Sequence, residues 1–170
     1  MGDIHFIGGI HGVGKGTICN KVCEQAGLVH LTASELLKWN EISAVDNKNV
    51  ENIKNTQDRL ITGLNKATNT NESYLLDGHF CLFNAEGKVE KVPLETFVKI
   101  APKSISVVTD KVELIKQRLE ERDKKSYDFD VLATMQNTEK EYAKEIATHL
   151  SVPFIELKNG DFQPLIDKLI

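Results

Sequence analysis

The chain has 170 residues, 41% of them hydrophobic and 27% charged, which is enough for one domain with a real core and ordinary for a soluble protein. A formal net charge of −4 argues against a nucleic-acid or acidic-membrane partner. No apolar run reaches membrane-spanning length, the first residues lack the layout of a secretion signal, and three cysteines (Cys19, Cys23, Cys81) have neither disulfide-framework nor zinc-site spacing, so a cytoplasmic enzyme is expected.

In chain order, Ile4–Gly8 is a short apolar run ending in glycine and is the first predicted strand. After the glycine-rich stretch that follows it, Lys15–Ala26 reads as a helix with Ile18, Cys19, Val22 and Cys23 inward, closed by Gly27. Leu28–Leu31 is a second strand. Thr32-Ala33-Ser34-Glu35 has capping-box spacing and opens a helix to about Trp39, and residues 40–48 are polar loop. From about Val50 to Thr68, Ile53, Leu60, Ile61 and Leu64 mark one buried side of a long helix. Ser73–Leu76 is the third strand and ends at Asp77-Gly78. The stretch His79–Val92 is irregular, with Asn84–Gly87 suited to the turn of a small hairpin.

Leu94–Ile100 is a short helix and Ser104–Val108 the fourth strand. Lys111–Lys124 is amphipathic through Val112, Ile115 and Leu119, and Arg122–Asp130 is highly charged. Asp130–Leu150 is a helix, Val152–Leu157 the last strand, and Phe162–Ile170 a closing helix with Pro164 near its start. Five strands separated by helices, without repeats or linkers, predict a single α/β domain over 1–170. Its architecture is three layers (α/β/α) around a five-stranded parallel sheet, with ligands at the strand C-terminal ends.

The run Gly9-Ile10-His11-Gly12-Val13-Gly14-Lys15-Gly16-Thr17 lies between a strand and a helix, the context of a phosphate-binding P-loop. Its glycines let backbone N–H groups turn inward around phosphate oxygens, the helix start adds its positive dipole end, and Lys15 reaches the β/γ phosphates of ATP. Gly16 stands where such loops usually carry a Ser or Thr ligand to Mg²⁺. The metal is then held by phosphates and waters, with Asp77 ordering those waters unless it caps a turn instead. Thr17 touches a phosphate near the metal or completes the first helical turn. His11 is a backbone-placing position before it is a side-chain contact.

Only three arginines occur, Arg59, Arg118 and Arg122. Arg118 and Arg122 are four apart on one helix face, either pointing into the cleft to meet the charge of a transferring group or pairing with nearby Glu at a solvated helix end. Arg59 lies on the long helix that should wall an acceptor pocket, or on the surface. His79 follows Asp77 and is either a proton acceptor, a partial phosphate grip, or a satisfied loop histidine. Trp39 is packing or a stacking surface.

Gly9–Thr17 resembles the G-x-x-G-x-G-K-G-T loop of adenylate kinases and related nucleoside monophosphate kinases, and Tyr74-Leu75-Leu76-Asp77-Gly78 resembles their strand and Asp-Gly pair. Thr32-Ala33-Ser34-Glu35-Leu36-Leu37-Lys38 is similar to their monophosphate-binding helix start, with Lys38 in place of an arginine. Glu156-Leu157-Lys158-Asn159-Gly160-Asp161 looks like the loop that borders the donor adenine. The order Asp-Gly-His, apolar-Pro, strand and Arg-x-x-x-Arg-Asp between Asp77 and Asp123 is similar to archaeal-type adenylate kinases. The resemblance implies ATP contacts at Asn159 and Gly160. It implies acceptor-binding helices over about 32–70, using Thr32, Ser34, Glu35, Lys38 and Arg59 together with His79. It also implies a short lid over about 118–130, with Lys124, Lys125 and Tyr127 as lesser members. The family's Asp-Gly-Phe-Pro-Arg is Asp77-Gly78-His79-Phe80-Cys81 here, so its monophosphate-gripping arginine is missing.

What these residues imply is a Mg²⁺- and ATP-dependent phosphotransferase moving the γ-phosphoryl group to a nucleoside monophosphate, AMP-like in kind. An anionic acceptor needs no general base, only positioning and charge cancellation. One alternative is a kinase with a hydroxyl acceptor, for which Glu35, Asp77 or His79 is the base. Another is a nucleotide-binding or regulatory ATPase module without a small acceptor.

Overall fold

Strands β1 (Asp3–Gly8), β2 (Val29–Thr32), β3 (Ser73–Asp77), β6 (Ser104–Thr109) and β7 (Phe154–Lys158) form one parallel sheet in the order β2-β3-β1-β6-β7. The computed structural model describes residues 1–37, 53–83 and 88–170. Two short strands, β4 (Cys81–Phe83) and β5 (Val89–Lys91), pair antiparallel beside it. They flank the expected hairpin turn, whose residues 84–87 lie outside the described residues, as do Lys38, Trp39 and the expected loop 40–48.

The helices among the described residues are α1 (Lys15–Ala26), α2 (residues 33–37), α3 (Ile53–Ala67), α4 (Leu94–Ile100), α5 (Val112–Asp123), α6 (Phe129–Leu150) and α7 (Gln163–Leu169). Alternate strand residues point to opposite faces, and the sheet separates two cores accordingly. Phe6, Leu76 and Val107 pack with Leu60 and Leu64 of α3, Phe97 of α4 and Ile146 of α6. Ile7, Leu75 and Val108 pack with Ile18 and Val22 of α1, Ile115 of α5 and Leu165 of α7. This is the expected three-layer fold. No helix among the described residues is long and apolar enough to cross a membrane.

Element ends differ from expectation where a hydrogen bond outweighs hydrophobic pattern. Val152 is apolar, yet its N–H donates to Ala147 O at 3.0 Å to close α6, so β7 begins only at Phe154. α6 begins at Phe129, not Asp130, because Asp128 is its N-cap and accepts the Val131 N–H at 2.9 Å. β2 runs one residue further than expected because Thr32 pairs with Asp77.

The strand ends align the site. Ile7 stands opposite Asp77, and Asp77 opposite Thr32, so the exits of β1, β2 and β3 share one edge. Beneath that edge Phe6, Phe80 and Phe97 form a triangle with ring centroids 5.0, 5.2 and 5.6 Å apart, and Phe97 also meets Tyr142 edge-on.

Two stability measurements test this packing. Phe97→Ala removes a fully buried ring and should cost about 3–5 kcal/mol in urea unfolding. His5, hydrogen-bonded to Ser104 Oγ at 2.8 Å, is held below its ordinary 6.5 chiefly by burial, with Asp3 opposing and Lys103 reinforcing the shift. The fold therefore favours neutral His5. Its contribution is present above pH 6.5 and is lost as pH falls through the lowered folded value. The unfolding free energy should decline below pH 6.5, and His5→Gln should flatten that decline.

Candidate active site

β1 delivers the chain into a loop that can turn only because of glycine. Gly12 and Gly14 have φ of 81° and 89°, and a Cβ on Gly12 would stand 2.8 Å from Leu119 Cγ. The turn brings Lys15 to the first position of α1, whose free N–H groups open into a cavity of about 400 Å³. Loop residues Ile10, His11, Gly12, Gly14, Gly16 and Thr17 line it together with Thr32, Ser34, Asp77 and His79. Lys15 Nζ lies 2.5 Å from Asp77 Oδ1 and donates to Gly78 O at 2.6 Å. The lysine expected to reach the phosphates and the carboxylate expected to order the metal's waters are thus paired, side by side, in the cavity wall.

Arg118 donates to Gly12 O at 3.2 Å and pairs with Asp110 Oδ2 at 2.8 Å. Asp110 is buried, and Gln136 of α6 bonds both its N–H and its carbonyl. Arg122 is exposed and holds both Asp123 oxygens, at 2.7 and 2.9 Å. Arg122 and the Tyr127 hydroxyl keep the Asp123 carboxyl well below the usual carboxylate range. The expected lid residues are the end of α5, a turn from Lys124 to Asp128, and the start of α6. The turn is tied by Tyr127 N–H to Glu120 at 3.1 Å, and Lys125 lies over the Tyr127 ring.

A second, apolar cavity of about 150 Å³ adjoins the first and shares Ala33, Ser34, Gly78 and His79 with it. Phe6, Leu37, Leu60, Leu82, Val92, Phe97 and Ile100 wall it, with Gln57 and Thr96 as polar points, and no lysine or arginine among the described residues lines it. Thr32, Ser34 and His79 of the expected acceptor set therefore reach the cleft. Glu35 does not: it faces a separate hollow with Leu31 and Lys66. Arg59 lines neither cavity, and Lys38 lies outside the described residues. On the other side of the loop, Asn159 and Gly160 border a hollow of about 540 Å³ that shares Gly14 and Thr17 with the cradle and also takes in Val13 and Arg118.

His79 sits between cradle and apolar cavity. Its Nδ1 is 2.9 Å from Gly9 O, and a carbonyl only accepts, so Nδ1 carries a proton and Nε2 is the nitrogen that bears the lone pair in the neutral ring. Its ring lies 4.8 Å from that of His11. Burial first, then His79 and Lys15, push the His11 imidazole below its ordinary value. Behind His79 stands Glu139 of α6, which sequence reasoning missed. Glu139 is buried, Oε2 accepts the Phe80 and Cys81 N–H groups at 2.9 and 3.0 Å, and Oε1 is 3.6 Å from His79 Nδ1 without a hydrogen bond of its own. The signal was present: position 139 falls in the inward stripe of Leu132, Ala143 and Ile146, where a carboxylate must have partners.

A family model described as an AAA domain matches residues 8–136. Among solved structures, the chain is similar to a gluconokinase from Sinorhizobium meliloti 1021 at TM-score 0.57 and 11% identity, covering 99% of this chain and 91% of that one. It is similar to a sugar kinase from Janibacter sp. HTCC2649 at TM-score 0.55 and 16% identity, covering 99% and 92%. Shikimate kinase from Acinetobacter baumannii, in complex with shikimate, gives TM-score 0.56 and 17% identity over 99% and 91%. No curated protein sequence matches. At these identities the likeness establishes the P-loop fold that the strand and loop pattern predicted.

The two kinds of glycine in the loop separate in a mutational test. Gly12→Ala meets both a left-handed backbone and Leu119, and should cost about 1–3 kcal/mol and abolish ATP binding. Gly16 has nothing within 4 Å of an added Cβ, so Gly16→Ala should fold and bind ATP like wild type, by urea unfolding and nucleotide titration.

Proposed function

The chain belongs to the AAA domain family, and we propose that it is an ATP-dependent kinase that phosphorylates a hydroxyl group on a small molecule with an apolar face. The observation that carries this reading is the apolar cavity joined to the phosphate cradle through His79 and free of lysine and arginine among its described residues. A nucleoside monophosphate would bring about two negative charges to a site already holding ATP, and bidentate guanidinium groups are the usual answer. Arg59 lines neither cavity and the family's acceptor arginine is replaced by Cys81, so support for the adenylate-kinase resemblance stops at the fold. The names of the structural relatives, a gluconokinase, a sugar kinase and a shikimate kinase, point the same way.

In this reading the phosphates of ATP lie in the glycine cradle and its nucleoside in the hollow bordered by Asn159 and Gly160. Lys15 moves from Asp77 onto the phosphate oxygens. The oxygen donors Thr17 and Asp77 line the same cavity and suit Mg²⁺, which would neutralise phosphate charge when bound there with ATP. The acceptor hydroxyl approaches from the apolar cavity past His79. As its oxygen bonds to the γ-phosphorus, the bond to the ADP leaving oxygen breaks and the hydroxyl proton passes to His79 Nε2. The resulting imidazolium is stabilised by the Glu139 carboxylate 3.6 Å from Nδ1.

ATP consumption should be measured against gluconate, shikimate, nucleosides, other polyols and nucleoside monophosphates, with a no-acceptor control. A phosphate monoester formed from a hydroxyl compound is expected. Nucleoside diphosphate formation from a monophosphate, or acceptor-independent hydrolysis alone, would overturn the reading. With the acceptor found, His79→Asn should lower kcat by about 10²–10⁴-fold with ATP affinity preserved.

A further inference from the structure

Three side chains of different chemistry converge beneath the phosphate cradle from three elements. They are Cys19 of α1, His30 of β2 and Asp77 of β3, and one ligand atom from each lies within 4.8 Å of the others. Cys19 is fully buried one turn after Lys15 on α1. His30 pairs with Leu75, two residues before Asp77, so His30 and Asp77 leave the same sheet face, towards α1. The Asp77 carboxylate holds Lys15 through Oδ1, points Oδ2 towards His30 Nε2 at 3.6 Å, and accepts from the buried Cys19 thiol, the proton that a cation would displace. That nitrogen is buried and has no hydrogen-bond partner. A separation of 3.6 Å is too long for a hydrogen bond. It fits a shared cation: Zn–S near 2.3 Å with Zn–N and Zn–O near 2.0–2.2 Å sets tetrahedral ligand atoms roughly 3.3–3.6 Å apart.

We propose that Cys19 Sγ, His30 Nε2 and Asp77 Oδ2 bind one borderline-soft divalent cation of the zinc type, with water as the fourth ligand. The thiolate, imidazole and carboxylate set selects zinc or cobalt over magnesium, which takes oxygen ligands. As the sulfur–metal bond forms, Cys19 releases its thiol proton to solvent, His30 enters neutral with its Nε2 lone pair, and Asp77 contributes Oδ2. Cysteine spacing conceals such a site because only one cysteine takes part; Cys23 and Cys81 stand outside the cluster. The site shares Asp77 with the phosphotransfer reading, where that carboxylate faces Lys15 and the phosphate cavity, but no step of that reading uses Cys19 or His30.

The test is a titration of the full chain with Zn²⁺ alone by calorimetry and with Co²⁺ by absorbance. One cation per chain, a thiolate-to-cobalt charge-transfer band and a Tm that rises with Zn²⁺ are expected. Cys19→Ser and His30→Gln should each lose more affinity than the roughly 10–100-fold that removal of an outer-shell partner costs. Cys23→Ser and Cys81→Ser should bind like wild type. Should Cys19→Ser fail to fold, the wild-type cobalt spectrum and His30→Gln decide the matter. No saturable binding by wild type, a cobalt spectrum without the thiolate band, or unchanged affinity in His30→Gln overturns the site.

Discussion

The site rests on one backbone seam, where the chain leaving β3 lies against the chain leaving β1. Gly78 N–H donates to Ile7 O at 3.0 Å, His79 Nδ1–H to Gly9 O at 2.9 Å, and Lys15 reaches across to Gly78 O at 2.6 Å. So close an approach leaves no space for side chains. A Cβ on Gly8 would stand 2.4 Å from the Phe80 ring, and one on Gly78 would stand 2.8 Å from Phe6. The seam sets the His79 tautomer, holds Asp77 beside Lys15, and seats Phe80 in the aromatic cluster with Phe6 and Phe97. Phosphate cradle and apolar cavity meet there because the seam forms their common wall.

Two buried carboxylates outside the glycine motif hold that wall from behind. A buried unpaired carboxylate costs several kcal/mol, so each must be matched. Glu139 accepts the Phe80 and Cys81 N–H groups and fixes the His79 side; Asp110 pairs with Arg118 and fixes the Gly12 side. α6 supports both, since Gln136, which bonds Asp110, and Glu139 are three residues apart on it and so on neighbouring positions of one face. One long helix at the back of the sheet thus sets both edges of the cradle.

The sheet and cradle were legible because a parallel strand buried on both faces reads as a short apolar run, as Tyr74-Leu75-Leu76 does; Ser104–Thr109 is likewise buried at every position, although three of its six residues carry hydroxyls. The order β2-β3-β1-β6-β7 was not, since periodicity carries no information about which strands pair. The acceptor side misled for a local reason. The resemblance put Glu35 in the pocket, but Thr32 Oγ1 accepts the Glu35 N–H at 3.3 Å and so caps α2. In that orientation Ala33, Ser34 and Leu37 face the cavity and Glu35 turns away. Glu139 escaped notice because its partners lie 59 and 58 residues earlier in the chain. Only a charge standing in an apolar stripe hinted at them.

Electrostatics narrows the acceptor further than shape does. The cations that flank the cradle are matched before any ligand arrives: Lys15 by Asp77, Arg118 by Asp110 and Arg122 by Asp123. ATP can draw on Lys15, the loop N–H groups and the start of α1, each of which gains more from a phosphate oxygen than from water in a part-buried cleft. A second phosphate would arrive at a cavity whose described walls offer aromatic rings, aliphatic side chains, two hydroxyls, an amide and the His79 imidazole, and no lysine or arginine. In the proposed reaction a neutral hydroxyl adds no charge until its proton leaves, and His79, which lines both cavities with Nδ1 held by Gly9 O, is the group that would take up that proton. On the proposed reading, the same shortage of positive charge that weighs against a phosphate acceptor is what gives the histidine a task.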